Sequence, residues 1–352
     1  MKKIFFALAA VAALASCSKS EVEYEQTSEI TFTPVTKNIT KSMITGTTFP
    51  TTESFNVWAW YNQVTAGTPA DSWDTATDNL YVTEGQFVYK SAESSWGGAT
   101  PYYWPKVGSL LFAGYYPSTV ADKADYVFDG TVNRMIFKNI PQSEVVNNAD
   151  VHSEDLMYFN MTEVSHNSGP VAVVFKHALS WVTVNLQRDN FTVNASGYPK
   201  ITVHSVTFTK VNPQGTGVVG GTDGEIDWTV NGTVADKTVN SGDVVLTTAA
   251  QKQIEPLFIP QELTSAMELQ VNYTIASSAT ESFTETHTTK LKGMTGTTPK
   301  PVEGNPDNVE TVTVNSWDPA KHYVYNVVMG LEEILIEPTV ADWTPVTIAV
   351  PL

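Results

Sequence analysis

Five apolar residues, Met267, Leu269, Val271, Tyr273 and Ile275, alternate without a break with Glu268, Gln270, Asn272 and Thr274. Successive side chains point to opposite sides only on an extended strand, so this segment can bury one face only as part of a sheet. The pattern returns at 323–331 with Tyr323, Tyr325, Val327, Met329 and Leu331, and at the end with Val346, Ile348, Val350 and Leu352. A short version stands near the start, where Ile30 and Phe32 alternate with Thr31 and Thr33. Runs rich in β-branched and aromatic residues predict further strands at 54–61, 85–90, 109–116, 133–138, 155–161, 171–176, 181–187, 201–209, 243–249 and 254–260. Between Leu179 and Val182 the apolar face switches sides, which predicts a bulge or bend. No window of a dozen residues carries a 3.6-residue repeat, so helices are expected to be short and few.

An all-β chain of 352 residues is long enough for two antiparallel β-sandwich domains, each with its own core. The polar segment 162–170 ends in Gly169-Pro170 and precedes a fresh apolar run. It predicts a boundary, with one domain over 28–165 and the next over 170–352. Segments 212–224 and 292–308, rich in Gly, Pro and Thr, read as long exposed loops. No repeat of 20–50 residues recurs, which disfavours a solenoid or propeller.

The first residues carry a different signal. Lys2 and Lys3 precede an apolar run from Ile4 to Ala15, as in an export signal. That run is too short to span a bilayer as a helix, which takes about twenty residues. Leu14-Ala15-Ser16-Cys17 resembles the bacterial lipobox, so residues 1–16 read as a lipoprotein signal peptide and Cys17 as the lipidated new N-terminus. Cys17 is the only cysteine, which rules out an internal disulfide. The expected location is the outer membrane or cell surface, held there by acyl chains. Residues 17–27 carry Glu21, Glu23 and Glu25 and form either an acidic flexible tether or an acidic surface-export signal.

Charge narrows the function. The chain has 37 Asp+Glu against 20 Lys+Arg, and only two arginines, Arg134 and Arg188. Removing residues 1–16 takes away Lys2 and Lys3 and no acid, leaving 18 basic residues against 37 and a net charge of −19. With no basic stripe to release phosphate counterions, nucleic acid is not an expected partner.

A search for chemistry returns little. HExxH, GxSxG and the phosphate-cradling GxxxxGK[ST] are all missing. Ser16-x-x-Lys19 straddles the signal cleavage site and is a chance match. The six histidines, at 152, 166, 177, 204, 287 and 322, have no metal-like spacing and read as surface or strand residues. Asp71, Asp74 and Asp78, and separately Asp223, Glu225 and Asp227, supply oxygens that calcium accepts, yet neither set completes a loop signature. Acidic surface turns are the simpler reading. Asp74-Thr75-Ala76 resembles a short O-glycosylation site. No enzyme activity, cofactor or metal is expected.

Aromatic residues are the remaining candidates. Trp58 and Trp60 should face one side of a strand while Phe55, Val57, Ala59 and Tyr61 face the other. Trp96, Tyr102, Tyr103 and Trp104 cluster around Gly97, Gly98 and Pro101. Exposed there, Trp96, Tyr102 and Trp104 could stack on sugars and make the chain a glycan-binding lipoprotein; the simpler alternative is that they cap a sandwich core.

Several phrases in a fixed order support a resemblance. They are Phe55-Asn56-Val57-Trp58-Ala59-Trp60-Tyr61, Tyr102-Tyr103-Trp104-Pro105, Leu111-Phe112-Ala113-Gly114-Tyr115-Tyr116-Pro117 and Phe175-Lys176-His177-Ala178-Leu179-Ser180. Pro256-Leu257-Phe258-Ile259-Pro260-Gln261, Tyr323-Val324-Tyr325-Asn326-Val327 and the closing Val340-x-Asp342-Trp343 follow. Together with the lipobox they resemble the fimbrillin family of Bacteroidales type V pili. The resemblance implies two transthyretin-like β-sandwiches in tandem and an exported lipoprotein. It implies polymerisation with other pilin subunits by strand exchange, with a host glycan or protein receptor as a further partner. The strand with Ile30 and Phe32 is then the removable one, and the C-terminal row Val346, Ile348, Val350 and Leu352 the donor. Each could equally be an ordinary edge strand of its own domain. Stalk subunits of that family are cut after an early arginine, but none precedes Arg134 here. Lys37 and Lys41 are the candidate cleavage positions; alternatively the lipid is retained and the subunit is an anchor or accessory component.

Overall fold

The computed structural model describes residues 24–35, 49–62, 80–128, 133–142, 155–165, 169–220, 224–240, 242–252, 256–300, 308–332 and 334–342. The fold is all-β. A short 3-10 turn at Ser118–Val120 is the only helical element among the described residues.

An eight-stranded sheet forms around the first aromatic phrase. Its order is Val171–Val174, Thr31–Val35, Ser95–Gly98, Leu80–Lys90, Ser54–Asn62, Ser109–Tyr116, Met157–Ser165 and Lys176–His177. Phe55, Val57, Ala59 and Tyr61 enter one buried cluster with Ile30, Phe32, Phe87 and Phe112. Trp58 and Trp60 enter another with Tyr115, Met135, Phe137 and Tyr158. The expected division of this strand into two faces holds, and both faces are covered. That explains why Ser54–Asn62 and Ser109–Tyr116 read as nearly unbroken apolar runs rather than alternating ones.

A second pair of sheets shares one buried cluster. The first has the order Gln251–Lys252, Ser180–Arg188, Lys321–Met329, Ile334–Asp342, Met294–Pro299 and Val309–Val314, with Leu257–Phe258 also on Ser180–Arg188. The other runs Ala235–Asn240, Lys200–Val211, Glu268–Ala276 and Ser282–Lys290, with Val244–Val245 also on Lys200–Val211. Leu269, Val271, Tyr273 and Ile275 from one sheet and Tyr323, Tyr325, Val327 and Met329 from the other point into this core. The alternation that opened the sequence reading is the inner face of these layers. Leu331 is the exception, 43% exposed beyond the end of its strand.

Pairing crosses the boundary expected between 165 and 170. Val171–Val174 pairs in parallel with Thr31–Val35, and Lys176–His177 pairs with Met157–Ser165 at the opposite end of the same sheet. A four-stranded sheet, Glu225–Asn231, Gln214–Gly220, Asn133–Pro141 and Ala124–Phe128, also draws from both sides of that boundary. The strands on either side of the polar Gly-Pro segment, Met157–Ser165 and Val171–Val174, thus belong to the same sheet. The apolar switch near residue 180 has a related cause. Leu179 belongs to the cluster around Trp58 and Val182 to the cluster around Tyr325. Residues Trp181 to Arg188 pair one for one with His322 to Met329. The switch is a handover between two cores, made at a bend at Leu179.

Two stretches read as loops are strands. Gln214–Gly220 lies inside 212–224, and Met294–Pro299 inside 292–308. Their glycines make room for close neighbours rather than turns. A Cβ at Gly217 would stand 2.7 Å from Ile226 and 3.0 Å from the Trp228 ring. At Gly296 it would stand 1.9 Å from the Pro338 carbonyl oxygen. Conversely, among the described residues the apolar runs at 243–249 and 254–260 yield only the two-residue pairings Val244–Val245 and Leu257–Phe258.

Candidate functional site

Thr31–Val35 is held on both sides. Its antiparallel neighbour is Ser95–Gly98, with Thr31 opposite Gly97 and Phe32 opposite Trp96. Its parallel neighbour is Val171–Val174, matched from Phe32 to Val35. Beyond the strand ends, Ile30 donates its N–H to the Tyr102 carbonyl at 2.7 Å, and Phe175 donates to the Val35 carbonyl at 3.0 Å. Lys90 and Glu29 close an ion pair beside it.

The inward side chains are Ile30, Phe32 and Pro34. Ile30 and Phe32 are both 0% exposed. The Phe32 ring meets Phe87, Phe112 and Phe55 edge-on at centroid distances of 4.9, 5.1 and 5.9 Å. Such T-shaped contacts set the positive ring edge against the negative face, which favours this geometry over flat stacking. The slot therefore has an aromatic floor and two rails of backbone donors and acceptors. Chemically it does one thing: it holds an extended strand with bulky residues at alternate positions.

Trp96 and Trp104 are core residues, as the simpler of the two readings expects. Trp96 is 3% exposed and Trp104 0%. Trp96 packs edge-on to Phe49 at 5.7 Å and donates its indole N–H to the Glu53 carbonyl at 3.3 Å. Trp104 packs edge-on to Phe112 at 5.8 Å, and half-buried Tyr102 stacks on Phe87 at 5.9 Å. Gly97 and Gly98 suggested a loop, but Ser95–Gly98 and Tyr103–Pro105 are strands that turn these indoles inward. The simpler alternative, rings closing the core, fits; sugar-stacking by exposed Trp96 and Trp104 does not.

Two histidines read as ordinary surface or strand positions have specific settings. His177 and Asp155 are buried together, with Nδ1 2.9 Å from Oδ2. His322 lies flat against Trp181 with centroids 3.5 Å apart, and its Nε2 is 2.8 Å from Thr183 Oγ1. Their spacing gave no hint, because each partner is distant in sequence. Among the described residues no cluster of His, Cys, Asp and Glu could hold a metal. Glu225 instead receives Lys176 at 2.8 Å. Cys17, Lys37, Lys41, Val346, Ile348, Val350 and Leu352 lie outside the described residues, as do Asp71, Asp74, Asp78, Asp223 and the Asp74-Thr75-Ala76 motif.

Comparison with known proteins places this arrangement. A family model described as fimbrillin-like matches residues 26–343, and one for the prokaryotic membrane lipoprotein lipid attachment site matches residues 1–18. A fimbrial protein from Bacteroides vulgatus has a similar structure, with a TM-score of 0.58 at 14% identity over 89% of this chain and 99% of that one. A proposed cell adhesion protein from Bacteroides ovatus matches with a TM-score of 0.51 at 14% identity over 92% of this chain and 99% of that one. No curated protein matches the chain. No helix among the described residues is long and apolar enough to cross a membrane. The fold and the lipid attachment signal together define an exported, all-β surface lipoprotein. The chain belongs to the fimbrillin-like family.

Proposed function

We propose that this chain is a non-enzymatic pilus subunit that joins its neighbours by exchanging strands and supports adhesion to a host glycan or protein. The observation that carries this reading is the complete burial of Ile30 and Phe32 on a strand railed on both sides. Removing Thr31–Val35 would uncover the rings of Phe55, Phe87 and Phe112 and leave two rows of backbone groups unpaired. An alternating strand from another subunit restores both, its backbone extending the sheet and its side chains entering the vacated positions. The C-terminal residues Val346, Ile348, Val350 and Leu352 have the required alternation. The separate buried clusters around Phe32 and Tyr325 favour two transthyretin-like sandwiches in tandem.

Lys37 and Lys41 follow the Phe32 strand directly and are the basic residues at which the precursor would be cut to release it. A subunit that escapes cutting keeps its lipid and its closed slot, and so serves as the anchor. Sequencing the N-terminus of the protein recovered from cells separates the roles. A start after Lys37 or Lys41 marks a polymerising subunit, and a lipidated Cys17 marks an anchor. Deleting residues 343–352 should abolish filaments while leaving the fold intact. Filaments that persist after this deletion would refute the C-terminal donor.

A further inference from the structure

The strand Ser282–Lys290 is the outer strand of its sheet among the described residues. It pairs residue for residue with Glu268–Ala276 over all nine positions, with no shift in register. Proteins usually blunt such an edge with a proline, a bulge or a very short strand. This strand has none of these and carries only Glu285 and Lys290 as charged residues, while Phe283 on it is 52% exposed. Its sequence, Ser-Phe-Thr-Glu-Thr-His-Thr-Thr-Lys, puts Phe283, Glu285, His287 and Thr289 on one face and Thr284, Thr286 and Thr288 on the other.

Two copies of this edge can meet antiparallel about a two-fold axis perpendicular to the sheet. That symmetry places like faces opposite one another, so the numbers of facing residues must sum to an even value. Centring the axis at Glu285 sets carboxylate against carboxylate, and centring it at His287 sets imidazole against imidazole. Centring it at Thr286 pairs all nine residues, from Ser282 opposite Lys290 inward. It also sets Glu285 opposite His287 twice, and Thr284 opposite Thr288 twice. The longest overlap and the complementary register coincide. An imidazole N–H donates to a carboxylate, and Thr–Thr cross-strand pairs stabilise antiparallel sheets. In each copy His287 Nε2 already lies 2.8 Å from Thr289 Oγ1, which fixes the ring on that face.

We propose that Ser282–Lys290 is a self-association edge, through which two copies of this chain join side by side in the register centred on Thr286. The glutamate and histidine that select this register also discourage other strands, because an unmatched polar pair in that face goes uncompensated. The contact uses neither Thr31–Val35 nor residues 343–352, so it stands apart from head-to-tail exchange.

Introduced cysteines on the full-length lipoprotein test the register, because the sole native cysteine carries the lipid. Thr286→Cys alone should give a disulfide-linked dimer on mild oxidation. Thr284→Cys and Thr288→Cys should cross-link severalfold more when mixed than either does alone. All three positions are exposed or half-buried, so the fold should tolerate them. In sedimentation, Glu285→Lys should weaken the dimer about tenfold by setting two cations against two imidazoles, and Glu285→Lys with His287→Glu should restore it. A chain that stays monomeric at all concentrations, or a mixture that cross-links no better than its single components, would overturn the proposal.

Discussion

The ring of Phe32 meets Phe87 edge to face, with centroids 4.9 Å apart and planes 89° from parallel. Two segments far apart in sequence are thereby locked at the centre of the first core. Truncating this ring should be costly, since a fully buried phenylalanine removed to alanine loses about 3–5 kcal/mol through transfer and cavity terms. Phe32→Ala should lower the denaturation midpoint and speed hydrogen exchange in Ser54–Asn62, while Lys321–Met329 in the other core stays protected. A loss below about 1 kcal/mol would mean the ring is not packed as described.

Burial of Trp96 and Trp104 predicts a stability phenotype in place of a binding one. Trp104→Ala should cost about 3–5 kcal/mol in urea unfolding. Affinity electrophoresis on polysaccharides should show no retardation that depends on either indole. Specific retardation lost in both variants without loss of stability would reverse this reading.

Gly296 is a point of backbone contact. Its missing Cβ would fall 1.9 Å from the Pro338 carbonyl oxygen, between Met294–Pro299 and Ile334–Asp342. Gly296→Ala must push these strands apart and should cost about 1–3 kcal/mol, the usual range for overpacking. Accelerated hydrogen exchange in Met294–Pro299 and Val309–Val314 is the expected signature.

Alkaline pH should unfold the protein. Burial raises the phenol pKa of Tyr325 above its ordinary value, a shift partly offset by the indole N–H that Trp317 donates to it. Burial likewise raises Tyr323, and it raises Tyr115, whose hydroxyl also donates to Glu84. The unfolded chain therefore releases these protons first. Their contribution is intact below pH about 10 and is lost as pH rises through the folded-state values, by up to roughly 1.4 kcal/mol per pH unit for each tyrosine. Urea unfolding from pH 8 to 12, with tyrosinate absorbance followed in parallel, checks the sign. A midpoint that does not fall above pH 10 would contradict it.

The strands with one covered face were legible from sequence, because Met267 to Ile275 and Tyr323 to Met329 keep strict alternation. Ile30 and Phe32 were legible for the same reason. Where glycine serves packing, the signal inverted. Gly215 and Gly217 read as loop residues, yet they sit beneath Trp228, and nothing local reports a neighbour from another strand. For Trp96 and Trp104 the simpler reading, closure of the core, holds, while flanking Gly and Pro had left exposure open because the ring positions depend on long-range pairing. The segment ending in Gly169-Pro170 does separate two strands, but its composition does not say which sheet receives the next one.

The parallel pairing of Thr31–Val35 with Val171–Val174 has a mechanical side. Held at its lipid end and pulled through the rest of the chain, the first strand is drawn lengthwise past its neighbour. The matched positions from Phe32 to Val35 then bear load together, instead of peeling apart one at a time. How long the first core stays closed under such a pull is set by the rate of forced unfolding, not by the equilibrium stability of the fold.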